Sequence, residues 1–155
     1  MTDIFSTEKR SMIMSRIRGK DTSPEMIIRS GLHKMGFRYR VNCRKLPGSP
    51  DLVFSKFRAV IFVHGCFWHR HDCHLFRWPA SNEVFWRKKI TGNAERDRQN
   101  IRTLLDNGWR VLIVWECALK GSKRFSVDDL LEKCRLWILS DSKYGEISSH
   151  DNKTQ

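Results

Sequence analysis

Residues 50–66 read PDLVFSKFRAVIFVHGC, two apolar runs separated by a short polar segment. The runs at 51–54 and 59–63 predict a β-hairpin joined by the residues SKFR. The second run is apolar enough for a central strand that is buried on both faces. The run WRVLIVW at 109–115 predicts another buried strand. These strands indicate a fold built around a short central sheet.

Helical patterns surround the strands. Residues 8–18 predict a short cationic helix, and residues 22–36 predict a helix with Thr22 or Ser23 as its N-cap and Gly36 as its stop.

Farther along, residues 83–107 predict two helical stretches interrupted near Thr91 and Gly92, and residues 126–139 predict an amphipathic helix. Residues 37–42 alternate apolar and polar side chains, which is typical of a half-buried strand. The order of elements predicts an α/β fold with a mixed central sheet flanked by helices.

The length of the chain limits the number of domains it can form, and its charge indicates the class of partner. At 155 residues it fits one domain, predicted to cover 1–140, and the polar segment 141–155 is predicted to be disordered. Lys and Arg number 29 against 17 Asp and Glu, and the resulting net charge of +12 favours nucleic acid as a partner. Many soluble proteins carry a basic surplus without such a partner.

No segment of the sequence is long and apolar enough to span a bilayer, and the N-terminus lacks the hydrophobic run of a signal peptide. We therefore expect a cytoplasmic protein with no membrane association. In that reducing compartment, five cysteines indicate metal binding or buried thiols rather than disulfides.

The stretch HGCFWHRHDC at 64–73 concentrates candidate metal ligands. Cys66, His71 and Cys73 follow C-x4-H-x-C spacing, and Cys117 follows the second buried strand, where a neighbouring strand can bring it close. Three thiolates and one imidazole make a closed tetrahedral zinc site, which is structural because no position is open for water. A cysteine at a strand end is also often simply buried, and that alternative remains open for Cys117.

The histidines in this stretch exceed what zinc requires. His69 lies between two of the candidate ligands, so the metal would hold its backbone while its imidazole stays free for general-base chemistry. A solvated histidine is the alternative. Asp97, in NAERDRQN, is either an ion-pair partner of the neighbouring arginines or the group that orients a histidine.

Pro50 and Asp51 at the start of the hairpin resemble the frame of PD-(D/E)xK nucleases, whose carboxylates bind Mg²⁺. The acidic and lysine positions of that motif are filled here by Phe62 and His64. A proline-aspartate pair also often only starts a turn. Glu25 could supply a second oxygen to a hydrated Mg²⁺, or could only interact with the helix macrodipole.

Three aromatic residues lie in polar or basic surroundings, which suits base stacking or insertion between base pairs: Phe67, Trp68 and Trp86. Capping of the core is the alternative. Trp109, Trp115 and Trp137 are assigned to the core.

Four ordered blocks together resemble the very-short-patch-repair (Vsr) mismatch endonucleases across residues 8–140: PGSPDLVF, VIFVHGCFWHRHDC, FWRKKITGNAERDRQNI and GWRVLIVWECAL. That family is a zinc-containing branch of the PD-(D/E)xK fold. Its members use Mg²⁺ to nick duplex DNA on the 5′ side of the thymine in a T:G mismatch. Such mismatches arise by deamination of 5-methylcytosine.

The resemblance implies roles for individual residues. It implies that Asp51 and the main-chain carbonyl of Val63 bind Mg²⁺, and that Glu25 binds metal-coordinated water. It also implies that His69 is the general base and that Asp97 orients it.

The second active-site histidine of the family corresponds to His64. The resemblance implies four structural zinc ligands: Cys66, His71, Cys73 and Cys117. It implies three aromatic residues that wedge into the DNA: Phe67, Trp68 and Trp86. Met14 matches a residue that the N-terminal helix inserts from the minor groove.

The resemblance further implies mismatch-repair proteins as partners, and nicking one strand needs only a monomer. Two departures stand out. Arg70 and Asp72 lie where further histidines are possible in the family, and no resemblance extends beyond Ser140. Two alternative functions remain: a restriction-type PD-(D/E)xK nuclease that cuts paired DNA, and a non-catalytic zinc module that binds DNA.

Overall fold

A computed structural model of the protein describes residues 22–152, which form three α-helices and five strands. The helices are α1 (Ser23–Lys34), α2 (Glu83–Asp106) and α3 (Val127–Leu139). The strands are β1 (Arg40–Val41), β2 (Leu52–Phe54), β3 (Ala59–His64), β4 (Arg110–Trp115) and β5 (Tyr144–Ile147). Short 3-10 helices follow three of the strands, at Ser55–Phe57, Glu116–Ala118 and Ser149–Asp151. The cationic helix predicted at 8–18 lies outside the described residues.

The strands form one mixed sheet in the order β1-β2-β3-β4-β5. The first three strands are antiparallel, and β3, β4 and β5 are parallel. The register of the central pair runs from Ala59 beside Arg110 to His64 beside Trp115, so β3 and β4 end at the same edge. The predicted hairpin, the second buried strand and the mixed sheet are confirmed.

The sheet separates two apolar layers, because side chains alternate between its faces. On one face, Ile61 packs in a cluster with residues of α1 and α3. On the other face, Val60 and Phe62 pack with Leu104 of α2. His64 continues the series of Val60 and Phe62, and this places its side chain on the α2 side.

Helix α1 begins and ends as its sequence predicts. The Thr22 side chain accepts a hydrogen bond from the Glu25 N–H at 3.5 Å and caps the helix. Gly36, with φ at +98°, follows the helix in the left-handed conformation that favours glycine. The helix buries Ile28 and Leu32 against the sheet layer.

Two predicted elements differ from the structure. The strand expected at 37–42 is reduced to β1, because only Arg40 and Val41 find partners on β2. The two helical stretches expected at 83–107 form the single helix α2, which continues through Thr91 and Gly92. A glycine costs about 1 kcal/mol in a helix, and the neighbouring turns outweigh that cost here.

The prediction that the chain is disordered after residue 140 is wrong over 141–152. Tyr144–Ile147 form β5, which pairs in parallel with β4. Ile147 is buried, and the Trp115 indole N–H donates to Glu146 Oε1 at 2.8 Å. The outer edge of β4 supplies these partners, and a local reading of a polar segment does not reveal them. The ordered domain therefore extends past the predicted boundary.

Within residues 22–152, each helix is too short or too polar to cross a membrane.

Candidate active site and metal centre

A cleft of about 870 Å³ lies at the edge where β3 and β4 end. Its lining includes an acidic pair, Glu25 with Asp51, and the group His64, His69 and Asp97. Glu25 lies on helix α1, Asp51 directly precedes β2, and His64 is the last residue of β3. Antiparallel pairing of β2 with β3 and the packing of α1 on the sheet thus bring together side chains from distant parts of the chain.

The acidic pair is largely withdrawn from solvent. Asp51 Oδ2 accepts a hydrogen bond from the Val63 N–H at 2.6 Å, and Glu25, 2% exposed, accepts one from Arg29 Nη2 at 3.0 Å. Burial raises the pKa of Asp51 to about 7, the neighbouring Glu25 carboxyl adds to the rise, and the Val63 N–H opposes it. A cation between these oxygens would relieve the cost of holding two carboxylates together.

The histidines form a layered group beside the acidic pair. His69 Nδ1 lies 2.5 Å from Asp97 Oδ2, and the His64 ring stacks on the His69 ring at 3.8 Å between centroids. A carboxylate only accepts, so Nδ1 of His69 carries the proton and Nε2 is left as an acceptor. Burial lowers the pKa of His64 well below its ordinary value, which makes His64 neutral at pH 7.

The four predicted zinc ligands converge behind the histidines. One donor atom from each residue lies within 4.8 Å of the others, and we call this set the metal cluster: Cys66, His71, Cys73 and Cys117. His71 Nδ1 lies 3.4 Å from Cys66 Sγ and 3.5 Å from Cys117 Sγ. Hydrogen bonding from the Cys66 thiol lowers the pKa of Cys117 to about 3, and His71 and Ser149 act in the same direction. Three sulfurs and one imidazole nitrogen suit a tetrahedral thiophilic cation.

Trp115 separates the metal cluster from the histidines of the cleft. Its ring stacks on the His71 ring, with 4.1 Å between the ring centroids and a 7° angle between the planes. It also contacts the His64 ring edge-on at 5.2 Å. Glu116, the next residue, accepts a hydrogen bond from the Cys66 N–H at 3.3 Å and also lines the cleft. The two sites therefore share a wall.

The three predicted DNA-contacting aromatics form one surface group. Phe67 lies 5.1 Å from Trp68 and 5.5 Å from Trp86 between ring centroids. Trp68 also lines the cleft, and its carbonyl accepts a hydrogen bond from Asn93 Nδ2 at 3.0 Å. Since Asn93 belongs to α2, the helix that carries Trp86 also holds the loop that carries Trp68.

The structure thus brings together every predicted site residue between 22 and 152, while Met14 lies outside the described residues. Sequence reasoning missed several neighbours: Trp115 and Glu116 at the end of β4, Asn93 on α2, and Ser149 and His150 near the metal cluster. The WECAL sequence after the buried strand was a usable signal for the first two. The last two lie within the segment 141–155 that was predicted to be disordered.

Comparison with known proteins identifies the family. A family model described as DNA mismatch endonuclease Vsr matches residues 2–75. The DNA mismatch endonuclease Vsr of Escherichia coli K12 is 44% identical over 149 residues, which cover 96% of both chains. This chain belongs to the Vsr family. A type II nicking enzyme of Neisseria meningitidis serogroup A is 50% identical over 121 residues, 78% of this chain and 86% of that protein. One from Haemophilus parainfluenzae is 32% identical over 139 residues, 86% and 99% of the two chains.

Membership of the Vsr family makes the protein an endonuclease with a nuclease fold. The cleft is the candidate active site of this endonuclease, because its acidic pair and histidines provide both cation ligands and a proton acceptor. The metal cluster is a second, separate candidate site.

Proposed function

We propose that this Vsr-family protein is a Mg²⁺-dependent endonuclease that nicks one strand of duplex DNA on the 5′ side of the thymine in a T:G mismatch. The nick begins the repair of deaminated 5-methylcytosine. One observation carries the proposal: the buried acidic pair and the His69–Asp97 pair face the same cleft. The family membership and the Vsr and nicking-enzyme relatives support it.

The acidic pair fits a hard divalent cation. Asp51 and Glu25 offer carboxylate oxygens, and Asp51 lies against the backbone of Val63, whose carbonyl is the further ligand we propose. Mg²⁺ keeps several waters and takes only one or two carboxylates, so Glu25 acts through a coordinated water. When bound, the ion supplies charge neutralisation for the phosphoryl oxygens and the leaving 3′ oxygen.

His69 is the general base. Its Nε2 accepts a proton from the water that attacks phosphorus, while Asp97 holds the ring through Nδ1–H and stabilises the imidazolium that forms. His64 stacks on His69 and is neutral because it is buried. It therefore lies beside the attacked phosphate without adding a positive charge to that of protonated His69. The oxygen of that water bonds to phosphorus as the bond from phosphorus to the 3′ oxygen breaks. The 3′ oxygen takes up a proton from solvent, so the products are a 5′-phosphate and a 3′-hydroxyl.

The metal cluster fits Zn²⁺, since three thiolates and one imidazole complete a tetrahedron. The ion would be structural, because the donor set leaves no ligand position for substrate. Zinc would fix the loop that carries His69, because the ligand Cys66 precedes this residue and the ligand His71 follows it. The architecture is PD-(D/E)xK-like, with Phe62 and His64 of β3 at the positions that are usually acidic and lysine, and with a zinc-bound loop directly after that strand.

The aromatic group contacts the DNA beside the mismatch. Phe67, Trp68 and Trp86 cluster next to the cleft, and apolar wedges unstack a base step at a cost of a few kcal/mol that new contacts offset. Met14 acts from the minor groove. The net charge of +12 supports binding to duplex DNA. The enzyme acts as a monomer in the cytoplasm, with mismatch-repair proteins as partners.

The test compares nicking of two labelled duplexes that differ only in a T:G mismatch or a T:A pair, with Mg²⁺ present. We expect cutting of the mismatched strand alone, and loss of cutting in Asp51→Ala with DNA binding retained. Asp106→Ala is the matched control, because Asp106 is an exposed acid at the end of α2. Equal cutting of both duplexes would favour a restriction-type nuclease. Binding without cutting in several sequence contexts would favour the non-catalytic zinc module.

A further inference from the structure

A short segment after β5 reaches back to the metal cluster. In the 3-10 helix Ser149–Asp151, the backbone N–H of Ser149 donates to Cys117 Sγ at 3.2 Å. Ser149 is 3% exposed, and this contact joins residues 32 positions apart. A backbone donor aimed at a buried sulfur is suited to a thiolate, since N–H···S hydrogen bonds spread the negative charge of a ligand.

The next residue contacts the other half of the metal cluster. His150 Nε2 lies 2.5 Å from the carbonyl oxygen of Asp72, the residue between the ligands His71 and Cys73. A carbonyl only accepts, so Nε2 of His150 carries the proton. The His150 ring also lies edge-on to the His71 ring at 5.6 Å. Residues 149 and 150 thus contact both segments that supply the four ligands.

Both ends of this segment are anchored. Before it, β5 pairs with β4, and Ser148 closes a capping box with Asp151. After it, Asn152 Nδ2 donates to the carbonyls of Lys123 and Arg124, at 3.2 Å and 2.9 Å. An anchored donor loses little conformational freedom when it contacts the metal cluster, so its hydrogen bond is retained.

We propose that Ser149 and His150 are positioning residues of the metal centre, with the Ser149 N–H orienting the Cys117 sulfur and His150 holding the His71–Cys73 loop in place. This inference rests on the proposed zinc site. It adds that these two residues determine how tightly the metal is retained. Outer-shell partners of metal ligands typically contribute 10–100-fold to metal affinity. We expect changes of that order here.

Ser149→Pro tests the backbone donor. Ser149 is the first residue of its 3-10 helix, where proline is well tolerated, and Ser148 is extended with φ −142° and ψ 175°, which suits a residue before proline. The substitution removes the N–H without requiring a new backbone path. Ser149→Ala is the matched control, since it keeps the N–H.

The measurement is the transfer of zinc from the full-length protein to a chromophoric chelator, together with the sulfur-to-metal charge-transfer band of the Co²⁺-substituted protein. We expect Ser149→Pro to weaken zinc retention by about 10–100-fold and to shift the Co²⁺ band. Ser149→Ala should lose much less and should keep the band near its native position. Equal retention and identical bands in the native protein and Ser149→Pro would overturn the role of Ser149.

His150 gives an independent test that does not depend on the folding of the proline variant. We expect His150→Ala to release zinc faster and His150→Gln, which keeps a donor at similar reach, to restore retention. His33→Ala, on the exposed side of α1, controls for the loss of an imidazole. Release unchanged in His150→Ala would overturn its positioning role.

The zinc content of the native protein is measured first. Absence of zinc would overturn the proposed metal centre, whereas zinc that is retained equally by all variants would overturn only the positioning roles.

Discussion

Replacement of Asp97 by asparagine tests the proposed chemistry most directly. The 2.5 Å contact between Asp97 Oδ2 and His69 Nδ1 joins side chains that are 23% and 27% exposed, so water screens the pair only in part. A hydrogen bond to a charged group contributes about 1.5–3 kcal/mol. An amide keeps the size of the side chain but loses the charge that stabilises an imidazolium.

If His69 becomes protonated during the reaction, most of that energy is lost from the transition state alone. Each 1.4 kcal/mol changes a rate about tenfold, so we expect kcat for nicking to fall by about 10- to 150-fold in Asp97→Asn. KM for the mismatched duplex should stay within about threefold of native, because the interaction strengthens only as charge develops on His69.

The assay is single-turnover and steady-state nicking of one labelled T:G duplex at fixed salt. Asp106→Asn, which removes the same charge from the exposed end of α2, controls for general electrostatic effects on DNA binding. A fall of less than about threefold, or a fall explained by KM alone, would refute the role of Asp97 as the group that orients and stabilises His69.

Three further predictions concern stability. Burial raises the pKa of Asp51 from 3.8 to about 7, so the free energy of unfolding falls as pH rises from about 4 through 7 and the buried carboxyl ionises. Without divalent cations, Asp51→Asn should therefore be more stable than the native protein at pH 8, by roughly 1–4 kcal/mol. The difference should vanish near pH 3 in urea titrations. A Cβ at Gly31 would overlap the Leu131 side chain, so Gly31→Ala should destabilise the α1–α3 contact by about 1–3 kcal/mol in the same assay. Trp115→Phe keeps a ring over the metal cluster but removes the indole donor to Glu146, and should lower the free energy of unfolding by about 0.5–1.5 kcal/mol.

Matched variants sharpen these stability measurements. Gly92→Ala makes the same glycine-to-alanine change inside α2, where the added methyl group meets only the flexible Arg96 side chain at 3.4 Å, and should stabilise by about 0.5–1 kcal/mol. Trp109→Phe makes the same ring change next to the opposite end of β4. The packing argument would be contradicted if Gly31→Ala were more stable than the native protein. The burial argument would be contradicted if Asp51→Asn were less stable than the native protein at pH 8. The argument for the Trp115 hydrogen bond would be contradicted if the two tryptophan substitutions had equal effects.

The central strands and the ligand positions were predictable because their signals are local. The apolar run before His64 must be buried, and residues that follow neighbouring parallel strands meet at one edge. Cys117 was therefore a candidate fourth ligand from its place after a buried strand, and the family resemblance was needed to choose this role over a simply buried cysteine. The spacing within HGCFWHRHDC then specified the remaining cluster ligands without any long-range information.

The C-terminal elements were not predictable in the same way. YGEI, the sequence of β5, is short and mostly polar, and only the edge of β4 makes it a strand. Ser149 and His150 carry no motif, because one contributes a backbone N–H that every residue except proline has. The contact between Glu25 and Asp51 also depends on tertiary packing, since α1 must dock before the two carboxyls meet.

The unbroken course of α2 has a geometric consequence. Trp86, in the aromatic group, and Asp97, bonded to His69, lie eleven residues apart on this one helix. At a rise of about 1.5 Å per residue, the helix sets roughly 16 Å between them. A single inserted residue would turn one side chain by about 100° relative to the other. The number of residues in this helix therefore fixes the distance between the proposed base-stacking group and the proposed general base.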